Sequence, residues 1–237
     1  MVHDVRDRGP LSMEDAVVYS SNIGMSFLGL RVGRDRLIET LDRFGFCRRT
    51  GIDLPGEAAG RRTSRKEWKE LYTSVSVAFG YEVRITPLQL CNAFAVLVNG
   101  GYLYKPRIVE KVVRNEEEVP NPPEILDRPI DEAQSREMRE ILLRVITEGT
   151  GSRLRLDGFR FGGKSGTALV GPDYRKKDYL ASFEAFAPYD EPEVVVLVMI
   201  EKPRGRAYYG STVSGPVVAS VLRRYFRVED KPKIAAR

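Results

Sequence analysis

One histidine, His3, and two cysteines, Cys47 and Cys91, stand among 237 residues. That poverty excludes a four-ligand zinc site of the usual Cys/His type built from this chain alone. A Cys47–Cys91 disulfide stays open at this stage, because spacing cannot show proximity. Cys91 lies in an apolar run, where a buried, inert thiol is expected. No apolar stretch approaches the roughly 20 residues that a membrane span needs. The longest, 194–200, is the size of a strand. Residues 1–10 are charged and lack the apolar core of a signal peptide. As written, the chain is expected to stay in the cytoplasm. There is no internal repeat and no low-complexity tract.

What is present is ordinary for a globular protein, with 42% hydrophobic and 30% charged residues. The formal net charge is +5, but the cations are dispersed in small groups such as Arg31, Arg34 and Arg36. No groove-reading motif accompanies them, so nucleic-acid binding is not expected and a solvated basic surface is.

The pattern divides into a helical part and a sheet part. Ser12, three residues before Asp15, reads as a cap opening a short helix towards Val18. Helical readings follow at 23–30, at 34–44 (amphipathic through Leu37, Leu41 and Phe44) and at 64–75 around Trp68. Residues 45–62, rich in Gly and Pro, read as an extended surface segment. Thr86-Pro87 is a strong helix start and Gly100-Gly101 its stop, with apolar residues on nearly every face between. Residues 106–119 read as strand and loop, and 120–129 as a Pro-rich surface connection. Residues 130–148 form a helix with Met138, Ile141, Leu142, Val145 and Ile146 inward. Then come three strands at 159–170, 179–187 and 194–201, with turn signals at Gly171-Pro172 and 188–192. A closing helix at 211–227 turns Val217, Val218, Val221, Leu222 and Tyr225 inward. Helices, an antiparallel meander and a last helix make an α+β domain, with an antiparallel sheet and a helical subdomain.

Two short motifs carry chemistry. Ser20-Ser21-Asn22 reads S-x-N, and Lys164-Ser165-Gly166-Thr167 reads K-[ST]-G-T. Taken alone, Ser20 is a helix-end serine, Asn22 a turn asparagine and Lys164 a solvated strand lysine. The flanks change that weighting. Tyr19-Ser20-Ser21-Asn22-Ile23-Gly24, Phe44-Gly45-Phe46, Thr50-Gly51-Ile52-Asp53-Leu54-Pro55-Gly56-Glu57, Ile85-Thr86-Pro87-Leu88-Gln89-Leu90, Asn99-Gly100-Gly101 and Gly162-Gly163-Lys164-Ser165-Gly166-Thr167-Ala168 occur in one order. In that order they resemble the class B penicillin-binding proteins, the peptidoglycan D,D-transpeptidases of septal and elongation type. The resemblance covers nearly the whole chain and is closest to the carboxy-terminal part of the transpeptidase domain. Two departures are local. Glu82 stands where the family commonly has glycine, and Ser165 replaces a more frequent threonine.

The larger departure is a missing motif. The family's third element, S-x-x-K, carries the nucleophile, and no S-x-x-K occurs in the 237 residues. The expectation is therefore a single partial domain over 1–237 that lacks the upstream S-x-x-K segment and is inactive alone. Thr63-Ser64-Arg65-Lys66 has a hydroxyl three residues before a lysine, but it lies on the wrong side of the S-x-N turn, and His3 lies near the chain end. The resemblance implies roles. Ser20 would relay a proton, Asn22 would bind a substrate carbonyl, and Lys164 would supply electrostatic support. Ser165, Gly166 and Thr167 would bind the substrate, the two hydroxyls taking its carboxylate and the Thr167 N–H serving as an oxyanion donor. The implied substrates are D-Ala-D-Ala stem peptides and β-lactams. The implied partners are the missing half of the domain and cell-division proteins. The resemblance calls for no cofactor or metal, and its members are anchored in the cytoplasmic membrane with this domain outside. The other reading is a non-catalytic scaffold binding peptidoglycan or division proteins. A β-lactamase or D,D-carboxypeptidase relative fits less well, because of the T-G-I-D-L-P-G-E and T-P-L-Q-L segments.

Overall fold

The computed structural model describes residues 2–171 and 177–228. Pro172 of the expected Gly171-Pro172 turn lies outside the described residues. In chain order the helical part holds α1 (Met13–Val18), α2 (Asn22–Val32), α3 (Arg34–Arg43), β1 (Arg61–Arg62), α4 (Glu70–Ala78), β2 (Val83–Arg84) and α5 (Pro87–Val98). Then come β3 (Leu103–Tyr104), β4 (Lys111–Arg114), β5 (Glu117–Pro120), β6 (Ile125–Asp127) and α6 (Glu132–Thr147). The sheet part holds β7 (Gly162–Leu169), β8 (Tyr179–Ala187), β9 (Val194–Glu201), α7 (Gly210–Val213) and α8 (Gly215–Tyr225).

The chain forms two compact units. One comprises Met1–Asp7 and Asn22–Glu137, the other Arg8–Ser21 and Met138–Arg237. In the first, α2 packs on α4, and Gly29 is where they touch: a Cβ there would strike the Ser74 carbonyl and the Ala78 methyl. Helix α5 starts on a reciprocal cap. Thr86 Oγ1 accepts from Gln89 N and Gln89 Oε1 accepts from Thr86 N, both at 3.1 Å. The Gln89 side chain, 1% exposed, also donates to the Arg48 and Ala59 carbonyls, so the surface segment expected at 45–62 is pinned to this helix. Two carboxylates hold that segment in other ways, one within itself and one to residues 108 and 109. Glu57 accepts from Thr50 N, Thr50 Oγ1 and Gly51 N, and Asp53 accepts from Ile108 N and Val109 N at 2.8 and 2.7 Å.

Three expectations need correction. The helix expected at 64–75 starts at Glu70; buried Trp68 precedes it and donates its indole N–H to Ser74 Oγ at 3.0 Å, replacing a helical bond with a side-chain one. Within the connection expected at 120–129, Ile125–Asp127 is a strand, β6, paired with β3. The closing helix is broken: α7 ends at Val213, Ser214 Oγ donates to the Ala181 carbonyl at 3.0 Å, and α8 restarts at Gly215-Pro216. Pro216 has no N–H to give to the carbonyl four residues back, Thr212, so the helical ladder is interrupted there. As a result Val218 and Leu222 are buried, while Val217, Val221 and Tyr225 stay exposed. Cys47 and Cys91 form no disulfide and both are half-buried, so the expected burial of Cys91 is only partial.

In the second unit β7, β8 and β9 form the expected antiparallel meander in the order β7-β8-β9. One sheet face is the core. Phe183, Ala185 and Ala187 of β8, all at 0% exposure, meet Val218 and Leu222 of α8, with Phe161 and Ile146 beside them. The other face carries Ser182, Glu184 and Phe186, by the alternation of a strand. Four of the five apolar residues expected inward on α6 are buried, from Ile141 to Ile146. Among the described residues strand β9 pairs with β8 alone, and its residues Val194 to Ile200 are half-buried. Among the described residues no helix is long and apolar enough to cross a membrane.

Candidate active site

Ser20 is placed by the way α1 stops. Its N–H bonds the Val17 carbonyl at 3.1 Å and the Ser21 N–H bonds that of Ala16 at 2.8 Å. That pairing is the Schellman motif, whose turn residue needs a positive φ. Helices α3 and α4 stop the same way, with Gly45 (φ 80) and Gly80 (φ 96) at that position. At the end of α1 the position is filled by Ser20, at φ 59. A side chain in this region costs roughly 1–2 kcal/mol, and in exchange the hydroxyl is held at one point. Glu82, flagged as standing where the family has glycine, has the same backbone, φ 63, and its carboxylate is tied to Thr63 Oγ1 at 2.6 Å.

Lys164 comes to Ser20 from β7. Its Nζ donates to Ser20 Oγ at 2.8 Å and to its neighbour's carbonyl, Ser165 O, at 2.9 Å. The side chain is half-buried, and dehydration of the ammonium pushes its pKa down to about 8. A hydroxyl can accept from the ammonium and still donate its own proton onward. Ser20 and Lys164 can thus carry a proton between two partners placed beside them.

Beside them on β7, the Ser165 hydroxyl shares a hydrogen bond with Thr150 Oγ1 at 3.0 Å, and Thr167 Oγ1 accepts from Gly210 N at 3.0 Å. A hydroxyl has one donor and two acceptor sites, so each keeps two further ones. Gly166 lies between them. The glycines of this strand do not leave open space. A Cβ on Gly162 would strike the Phe186 ring, one on Gly163 the Glu184 carbonyl, and one on Gly166 the Ser182 hydroxyl. Their absent side chains make room for β8 and for α6.

Asn22 belongs to the other unit. It starts α2, and its Nδ2 donates to the His3 carbonyl at 3.3 Å; Asp4 Oδ1 accepts from Ile23 N at 3.0 Å and caps the helix. Residues 3 and 4, near the chain end, therefore support the start of α2.

Sequence reasoning missed Glu184. It is 7% exposed, its Oε1 has no hydrogen-bond partner, and dehydration pushes its pKa up to about 8. In the β7–β8 register it stands directly opposite Lys164. Its signal in the sequence was a lone acid within an apolar strand, Phe183-Glu184-Ala185-Phe186.

The family model for the penicillin binding protein transpeptidase domain matches residues 2–223. Stage V sporulation protein D of Bacillus subtilis is 36% identical over 88% of this chain and 33% of its own length. Peptidoglycan D,D-transpeptidase FtsI of Escherichia coli K12 is 31% identical over 93% of this chain and 36% of its own. Among solved structures, the penicillin-binding protein 3 of Mycobacterium tuberculosis complexed with aztreonam superposes with a TM-score of 0.84 at 26% identity, over 100% of this chain and 56% of that one. The transpeptidase domain of Burkholderia pseudomallei penicillin-binding protein 3 gives 0.81 at 29% identity, over 94% and 66%. The chain spans about a third of the length of these two curated relatives.

Proposed function

We propose, since the chain belongs to the penicillin binding protein transpeptidase family, that it supplies the S-x-N and K-S-G parts of a peptidoglycan D,D-transpeptidase site. The observation that carries this is the hydrogen bond from Lys164 to Ser20, which joins the two motifs. The nucleophile is a serine outside these 237 residues, on a segment bearing S-x-x-K.

The chemistry is acyl transfer. The nucleophilic serine attacks the carbonyl of a D-Ala-D-Ala peptide or a β-lactam, and its proton must reach the leaving nitrogen. Ser20 passes that proton on: it accepts one while giving up its own, and the Lys164 ammonium holds its oxygen throughout. The positive charge also favours a substrate carboxylate nearby, which the remaining capacity of the Ser165 and Thr167 hydroxyls can bind. Gly166 between them lets β7 lie close against Ser182 of β8. Asn22, whose Nδ2 donates to the His3 carbonyl, is assigned by the resemblance to a substrate carbonyl. The acyl-enzyme is then released to an acceptor amine.

The test joins the chain behind a segment carrying S-x-x-K and measures labelling by a fluorescent penicillin. Labelling is expected, and Ser20→Ala and Lys164→Ala should each slow it by about 10²-fold or more, the scale of a lost proton-transfer group. Labelling at an unchanged rate in both variants would remove the proposed roles.

A further inference from the structure

Lys164 and Glu184 are the only charged residues inside the three-stranded sheet, apart from Glu201 at the exposed end of β9. They occupy one face, opposite each other in register. Side chains at such positions start with Cβ atoms about 4.5–5.5 Å apart, so a change of lysine rotamer brings the ammonium to the carboxyl. In the structure it is elsewhere, on Ser20 Oγ and Ser165 O. Glu184 is left buried with Oε1 unpartnered.

The surroundings offer the carboxyl nothing else. On β9 it faces Leu197. Helix α7 carries no charged residue, and Arg223 and Arg224 of α8 are exposed in its last turn. On α6, Arg144 is bound to Glu148 and to Asp15 of α1, and Arg139 bonds the Asp190 carbonyl. A buried carboxylate without a cation or donors is costly, so the group stays protonated until a partner is available.

We infer that Glu184 is a positioning residue for Lys164: protonated, it leaves the ammonium on Ser20, and ionised, it draws the ammonium across β7–β8 and away from Ser20. Burial keeps Glu184 protonated at neutral pH and so keeps Lys164 on the relay serine. Dehydration lowers the pKa of the Lys164 ammonium and raises that of the Glu184 carboxyl, and pairing of the two opposes both shifts. The name given to the contact, a relay, rests on the function proposed above; the movement itself does not, and it needs neither nucleophile nor turnover.

The experiment follows the ¹³Cε signal of Lys164 from pH 6 to 11 in the chain labelled at lysine, assigned by its loss in Lys164→Met. The unmodified chain should show two steps, one from ionisation of Glu184 and one from Lys164 itself. In Glu184→Gln, of the same shape but unable to ionise, one step should remain. A single step in both proteins, or two in both, overturns the inference. Should Glu184→Gln fail to fold, the same coupling is read from the other side. The Glu184 carboxyl signal in Lys164→Met should titrate about one unit higher, the size of a lost neighbouring cation, and an unchanged midpoint overturns it. Loss of penicillin labelling in the joined protein with this titration intact would instead strike the proposed function and leave the coupling standing.

Discussion

The Lys164 ammonium and the Ser20 hydroxyl meet at 2.8 Å although 144 residues separate them. Each end of that bond is set by backbone: Ser20 by a helix stop that takes glycine at the ends of α3 and α4, Lys164 by its register on β7.

The helix stop yields a stability prediction. Ser20→Gly removes the hydroxyl but suits φ 59, whereas Ser20→Ala removes it and keeps the strain. The glycine variant should therefore be about 1 kcal/mol more stable than the alanine variant. Urea unfolding of the two proteins measures it. Equal stabilities would mean that the left-handed backbone of Ser20 is not what holds the turn.

The loop that closes on α5 should make the chain sensitive to acid. Asp53 is held below its ordinary pKa by the Val109 and Ile108 N–H groups. For Glu57, burial opposes ionisation, but the Thr50 hydroxyl and the Thr50 and Gly51 N–H groups outweigh it and lower the pKa. Groups with depressed folded pKa values stabilise above the unfolded pKa and lose that contribution as pH falls through the folded one. Melting temperature should thus drop as pH is lowered through and below the ordinary carboxylate range. The drop should be shallower in the double variant Asp53→Asn, Glu57→Gln; an unchanged acid limb would contradict the assignment.

Glu184 gives the opposite sign. Its folded pKa, about 8, lies above the ordinary 4.5, so the unfolded chain ionises first and stability falls as pH rises between those values. Glu184→Met should stabilise the chain by about 2–3 kcal/mol at pH 7, by one pKa unit being about 1.4 kcal/mol. The gain should be smaller at pH 5. Thermal unfolding at the two pH values decides, and a gain that is equal at both would mean the carboxyl is not dehydrated.

How much of this was legible in the sequence follows from what each signal depends on. The cap at Thr86-Pro87 and the strands at 179–187 and 194–201 are local patterns, and they appear where expected. The pairing of Ser20 with Lys164 was legible only through the order of the flanking motifs, since neither residue announces the other. The break at Ser214 was hidden because the apolar period of Val217, Val218, Val221 and Leu222 starts only after it; Pro216, which lacks an N–H, was the cue. Trp68 was placed inside a helix by its apolar neighbours, when its indole bond to Ser74 holds it just before one. Glu184 was passed over because a single acid in an alternating strand normally faces water, and here that face is covered.

The proposed acyl-transfer site has its nucleophile outside these residues, and intact mass after incubation with penicillin tests that. The chain alone should show no covalent gain, and the chain joined to an S-x-x-K segment should gain one penicilloyl group on the serine of that segment. A stoichiometric gain on any serine or threonine of the chain by itself would contradict the account.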